Sequence, residues 1–188
     1  MLLCCVLAAC QQSVPWQGRD VSGIFPDLSF SLIGSDGQEV QAGDFVGKPT
    51  LLYFGFTNCP GVCPTTLAQI SAALDQLGQE AAHFQVILAS VDPRRDTPSA
   101  MKEYTARFGP WLQGVTGDEQ ALKDLNHAYK VDFSALAADE DGEYDVLHSN
   151  RVFAFDSRGR CRLLLPDTAD TQAVVSDLRK LLAEDGMI

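Results

Sequence analysis

A single α/β domain, with helices on both faces of one central sheet, is predicted by three features of the chain. Apolar runs of strand length alternate with segments whose apolar residues recur at helical spacing. The first long strand passes into a helix across two cysteines, Cys59 and Cys63. The alternation then closes on a hairpin and a last helix. The 188 residues fit one domain, and 46% hydrophobic with 9% aromatic residues supply its core.

The elements follow in order. Leu28, Phe30 and Leu32 alternate with polar residues and lead into Asp36-Gly37, predicting an N-terminal β-hairpin. Thr50 to Phe56 is a buried strand. Leu67, Ile70, Leu74 and Leu77 mark one face of a helix, with Pro64 suited to its first turn and Gly78 placed to stop it. Phe84 to Val91 is a second apolar strand. Thr97 and Pro98 read as N-cap and first-turn residues of a helix carrying Met101, Tyr104 and Phe108. Asp118 opens another, with Leu122, Leu125 and Tyr129, before an acidic, loop-like stretch from Ala137 to Asp145. Val152 to Phe155 and Arg160 to Leu165 form the closing hairpin. Val174, Val175, Leu178, Leu181 and Leu182 line the last helix. A β-α-β-α-α-β-β-α order, with a cysteine pair opening the first helix, is the thioredoxin-like three-layer α/β/α arrangement with a β-hairpin extension.

Charge and the N-terminus set the surroundings. Fourteen basic against 25 acidic side chains leave a net charge of -11, which argues against a nucleic-acid groove and favours basic or cationic partners. Leu2 to Ala9 is apolar but only about a third to a half of the length of a membrane-spanning helix. Leu7-Ala8-Ala9-Cys10, followed by Gln11-Gln12-Ser13, matches the bacterial lipoprotein signal, in which cleavage exposes the cysteine for lipid attachment. One departure is that no Lys or Arg precedes the apolar stretch; the first basic residue is Arg19. The expected organisation is a signal segment over 1–9, lipidation at Cys10 within a tether over 10–22, and one domain over 23–188. That places the domain outside the cytoplasm, on the periplasmic side, held to a membrane by a lipid anchor.

On this organisation Cys4 and Cys5 leave with the leader, and Cys59, Cys63 and Cys161 remain as thiols. In an oxidising compartment a close pair is a disulfide, a redox couple or a metal site. Cys161, just after the turn Asp156-Ser157-Arg158-Gly159, reads as a buried strand residue that packs as a small hydrophobe. For Cys59 and Cys63 the helix start is expected to favour thiolate over thiol. Free N–H groups and the positive end of a helix dipole lower a cysteine pKa, and the thiolate is both nucleophile and metal ligand.

Three motifs in sequence carry a family resemblance. Tyr53 to Leu67 (YFGFTNCPGVCPTTL), Ser90 to Pro98 (SVDPRRDTP) and Tyr144 to Ser149 (YDVLHS) resemble the Sco/SenC family of copper-binding proteins. Similarity begins near Gly23 to Leu28 and runs through Phe153 to Asp156 and Gly159. The resemblance implies an anchored thioredoxin-like domain that binds copper, as Cu(I), Cu(II) or both, and helps assemble the CuA centre of cytochrome c oxidase. The implied partners are subunit II of that oxidase, which holds the CuA domain, and a periplasmic copper chaperone or thiol reductant upstream. The implied ligands fall on Cys59, Cys63 and His148.

The chemistry of those residue types agrees. Soft thiolates select Cu(I) and imidazole accepts either oxidation state. A three-coordinate, exposed site leaves room for a partner's ligand, as metal transfer requires. Asp92, at a strand end on the cysteine side, is a candidate supporting residue, although Asp92 and Asp96 are equally accounted for by fixing a turn and capping a helix. Tyr144 and Asp145 are further candidates, because a metal-bound imidazole usually gives its other N–H to an oxygen. The sequence departs from many relatives in placing Leu147, not an acidic residue, before the histidine. The competing reading is a thiol-disulfide oxidoreductase using Cys59 and Cys63 on an exported target, and a copper or redox sensor would use the same residues. A peroxidase would need an arginine near the attacking thiol, and no basic residue occurs from Thr50 through Leu77.

Overall fold

The computed structural model describes residues 15–131, 133–135, 144 and 146–188. The chain enters along β1 (Arg19–Asp20) and forms the hairpin β2 (Ser31–Gly34) and β3 (Glu39–Gln41). The apolar run becomes β4 (Thr50–Gly55), followed by α1 (Val62–Leu77) and β5 (Gln85–Ser90). Next come α2 (Pro98–Thr105), β6 (Leu112–Thr116) and α3 (Glu119–Ala128). A short ribbon, β7 (Phe133–Ala135) and β8 (Val146–His148), precedes β9 (Val152–Phe155), β10 (Cys161–Leu164) and α4 (Thr171–Glu184). Among the described residues no helix is long and apolar enough to cross a membrane.

The main sheet runs β1-β10-β9-β4-β5-β6-β2-β3. Its centre is parallel, β4 to β5 to β6, whereas β9 lies antiparallel to β4 with Val152 opposite Tyr53. All six residues of β4 are buried, as a strand covered on both faces requires. Alternation sends Tyr53 and Phe54 to opposite faces. Tyr53 packs beneath α1, and α4 lies beside α1. Phe54 meets Tyr129, at the end of α3, whose ring also packs edge-on against Phe153 and Phe155 at 5.2 and 5.8 Å. These are the three expected layers.

Local signals hold where they were read. Thr97 accepts from the Ala100 N–H at 3.2 Å with Pro98 at the first helical position, and Asp118 accepts from the Ala121 N–H at 2.8 Å. Gly78, with φ of 60°, ends α1. Four strands escape the pattern. β6 reads Leu-Gln-Gly-Val-Thr, and its central Gly114 exists because a Cβ there would stand 3.0 Å from the Met101 Cε of α2. Close helix packing thus removed the apolar residue that would have announced the strand. The β7–β8 ribbon is only three residues per strand. Of the stretch expected as a tether, Arg19–Asp20 pairs with β10, and the Gln17 and Gly18 N–H groups donate to the two oxygens of the Asp177 carboxylate at 2.8 and 2.7 Å. Trp16 completes this strap by lying 4.7 Å from the Lys180 ammonium.

Candidate metal centre

The site begins where β4 ends. The Cys59 N–H closes a turn onto the Phe56 carbonyl at 3.3 Å, and Gly61 is the N-cap of α1. Cys63, in the first turn, points its backbone N–H at the Cys59 sulfur, 3.3 Å away. A sulfur thereby occupies the position of a capping acceptor. Neither cysteine is in a disulfide; Cys63 is buried and Cys59 half-buried, while Pro60, Gly61 and Val62 between them face solvent. Gly55 is part of the pocket: a Cβ there would meet the Cys63 Sγ at 2.9 Å, Leu88 at 3.1 Å and the Tyr53 ring at 3.2 Å. Only glycine leaves the sulfur its place.

Electrostatics here reverse one expectation. Burial pushes the Cys63 thiol up to about 12, against the opposing Phe56 N–H and Tyr53 hydroxyl, and the neighbouring Cys59 sulfur adds to the rise. A helix start does not outweigh loss of water around a fully enclosed sulfur. Cys161, equally buried beside Phe155, is also pushed up to about 12, by burial and then by Asp27. Stability follows. The unfolded chain loses these two protons from the ordinary thiol value of 9.0 upward, whereas the folded chain keeps them to about 12. In that window the folded state binds more protons, so stability is intact below pH 9 and falls as pH rises. Urea unfolding of the reduced, metal-free protein is expected to shift to lower midpoint between pH 8.5 and about 10.5, and Cys161→Ala to lessen the shift.

The β5–α2 loop braces the cysteine turn. The Asp96 carboxyl, 1% exposed, accepts from the Thr57 N–H at 3.1 Å, the Thr57 hydroxyl at 2.6 Å and the Ser90 hydroxyl at 2.6 Å. Burial raises its pKa while these donors oppose the rise. Neither Asp92 nor Asp96 caps α2, since Thr97 does. Asp92 instead accepts from the Tyr144 hydroxyl at 2.6 Å and pairs with the Arg95 guanidinium. Arg95 also donates to the Tyr144 carbonyl at 2.9 Å, with its guanidinium 3.8 Å from the Tyr144 ring centre and 5.7 Å from that of Phe56. Arg95 lies within the Ser90 to Pro98 motif, but no local spacing ties it to the cysteine turn or to Tyr144, 49 residues on.

His148 ends β8, its backbone opposite Phe133 of β7. Four residues on, Val152 pairs with Tyr53, so the chain leaving His148 joins the sheet beside the strand that feeds the cysteines. The His148 side chain, Asp145 and Cys10 lie outside the described residues, and among the described ones no third His, Cys, Asp or Glu joins Cys59 and Cys63 in a metal-sized cluster. His127 is exposed and His83 half-buried, and neither belongs to a metal-sized group of three such side chains among the described residues.

The SCO1/SenC family model matches residues 26–183, nearly the whole described domain. The chain belongs to the SCO1/SenC family. A SCO2-like protein of Rickettsia conorii is 35% identical over 132 residues, which are 70% of this chain and 64% of that protein. The mitochondrial SCO1 homolog 1 of Arabidopsis thaliana is 40% identical over 121 residues, but these are only 36% of its length. This SCO1/SenC chain therefore spans less than two thirds of these curated relatives. Solved structures match over more of it. Copper-bound ScoI of Bradyrhizobium japonicum superposes with a TM-score of 0.76 at 35% identity, covering 83% of this chain and 99% of that one. Apo Sco1 from Thermus thermophilus gives 0.79 at 34% identity, covering 89% and 98%. The SCO1/SenC domain thus has the thioredoxin-like fold of these proteins, and Cys59, Cys63 and the β8 strand fall within the matched stretch.

Proposed function

We propose that this SCO1/SenC protein carries copper on Cys59, Cys63 and His148 and delivers it during assembly of the CuA centre of cytochrome c oxidase, with subunit II as receiver. The observation that carries the reading is the pair of reduced thiols brought together at a solvent-facing turn, in a chain that superposes on the copper-bound ScoI structure. Two soft sulfurs suit Cu(I), and an imidazole would complete a site tolerant of Cu(II). Copper here is cargo. Its uptake must displace the proton that burial holds on Cys63, so affinity rises with pH. A half-exposed Cys59 above a buried Cys63 also suits a thiol-disulfide exchanger, the first attacking and the second resolving. The two activities meet in one pair, since only the reduced pair binds metal. A periplasmic copper donor or thiol reductant would act upstream, with the domain tethered to the membrane through lipid on Cys10.

Copper stoichiometry and X-ray absorption of the reduced protein test this directly. One copper with two sulfur neighbours and one nitrogen is expected. His148→Ala is expected to lose the nitrogen and to weaken Cu(II) binding by more than roughly 100-fold, beyond the 10- to 100-fold typical of groups that only orient a ligand. Thiol labelling should be unchanged. No stable copper, with disulfide exchange that depends on both cysteines, would leave the oxidoreductase reading in its place.

A further inference from the structure

We propose that Arg95 is a positioning residue, the centre of a latch with Asp92 and Tyr144 that holds the His148 ribbon against the cysteine turn. The inference rests on the copper reading for its purpose but on separate contacts for its geometry. β7 and β8 pair with each other and form a sheet of their own, with no strand pairing to the main sheet among the described residues. Side chains that tie them down include Val146, packed into the core, and Tyr144, two residues before β8. His148 lies four residue steps beyond Tyr144, at most about 14 Å of extended chain.

Tyr144 is held three times by one short loop. Its hydroxyl donates to Asp92 at 2.6 Å, its carbonyl accepts from Arg95 at 2.9 Å, and its ring lies 3.8 Å from the Arg95 guanidinium carbon. The Asp92 side chain is 3% exposed and that of Arg95 19%, so these charged contacts are shielded from water on most sides. The same loop holds the cysteine turn: Asp96, next to Arg95, accepts from both the N–H and the hydroxyl of Thr57, two residues before Cys59, and Phe56 lies under the guanidinium. Residues 92–96 therefore grip the thiol segment with one aspartate and the histidine segment with the other. Arg95 joins the two grips. A planar, stacked, forked cation is needed for this, and lysine does not supply it.

Tyr144→Phe removes one oxygen and keeps the ring, which preserves folding; Arg95→Met and Arg95→Lys remove the fork. Each is expected to speed amide hydrogen exchange at Val146, Leu147 and His148 in the metal-free protein by roughly ten-fold, the scale of an outer-shell contact. Each should also change the Cu(II) paramagnetic resonance signature and speed Cu(II) release by about ten-fold, with thiol labelling of Cys59 unaltered. Wild-type exchange and wild-type resonance in folded Tyr144→Phe and Arg95 variants would overturn the latch. If instead the wild-type Cu(II) signal proves independent of His148, the copper reading fails, while the exchange comparison still decides whether the latch exists.

Discussion

Cys63→Ser is expected to lower Cu(I) affinity by more than about 100-fold, and Cys59→Ser to do the same, because each removes a thiolate rather than a group that merely orients one. Gly55→Ala should reproduce much of this loss without altering a ligand. Its new methyl would stand 2.9 Å from the Cys63 sulfur, with Leu88 and the Tyr53 ring closing the other sides at 3.1 and 3.2 Å. All of these neighbours are buried, so the strain falls on the sulfur or on the β4 backbone. Overpacking of a close-packed core costs about 1 to 3 kcal/mol. The expected result is a folded protein with a lowered urea midpoint and with Cu(I) lost to a competing chelator well before the wild type releases it. Wild-type copper retention in Gly55→Ala would show that the site lies elsewhere or that Cys63 does not belong to it.

Asp156→Ala is expected to have the largest effect on stability away from the thiols. The carboxylate is fully buried and ties the β9–β10 turn: it accepts from the Arg158 and Arg160 N–H groups at 3.1 and 2.9 Å, and from the guanidinium groups of Arg160 and Arg162 at 2.7 and 3.4 Å. Breaking a buried pair costs about 3 to 5 kcal/mol; here about 3 is expected, because both guanidinium groups still reach water. Burial by itself raises the Asp156 pKa, but the hydrogen bonds from Arg160 and Arg158 overcome it and leave the carboxyl below its usual value. Its contribution is therefore present above the ordinary carboxylate range and is lost as pH falls through the lowered folded value. Urea unfolding at pH 7 and pH 3 should show a large gap between variant and wild type at pH 7 that narrows at pH 3. A gap that is equal at both would place the stabilisation in packing, not charge.

What the sequence disclosed and concealed divides along a physical line. Contacts within a few residues were legible: the Thr97 and Asp118 caps, the Gly78 stop, and the cysteine pair between a buried strand and a helix. Contacts set by the fold were not. β6 was hidden by Gly114, whose identity answers to Met101 on another element. Arg95 reaches Phe56 and Tyr144 across long stretches of chain, and no spacing rule links them. Place at a helix start is a local cue for the Cys63 thiol, whereas its proton is governed by burial beside Phe56, Tyr53 and Cys59. The three-motif resemblance reached across these distances where periodicity did not, and the family match over 26–183 agrees with it.

The eight-stranded sheet ends on its two weakest members. β1 offers two residues, Arg19 and Asp20, both exposed and oppositely charged, and β3 offers three, with Glu39 and Gln41 facing solvent. A sheet whose centre is largely apolar would template the growth of fibrils if either margin were long and flat. Short, charged margins give a neighbouring chain almost no backbone to zip onto. The domain can thus be packed densely beside copies of itself without joining them strand to strand.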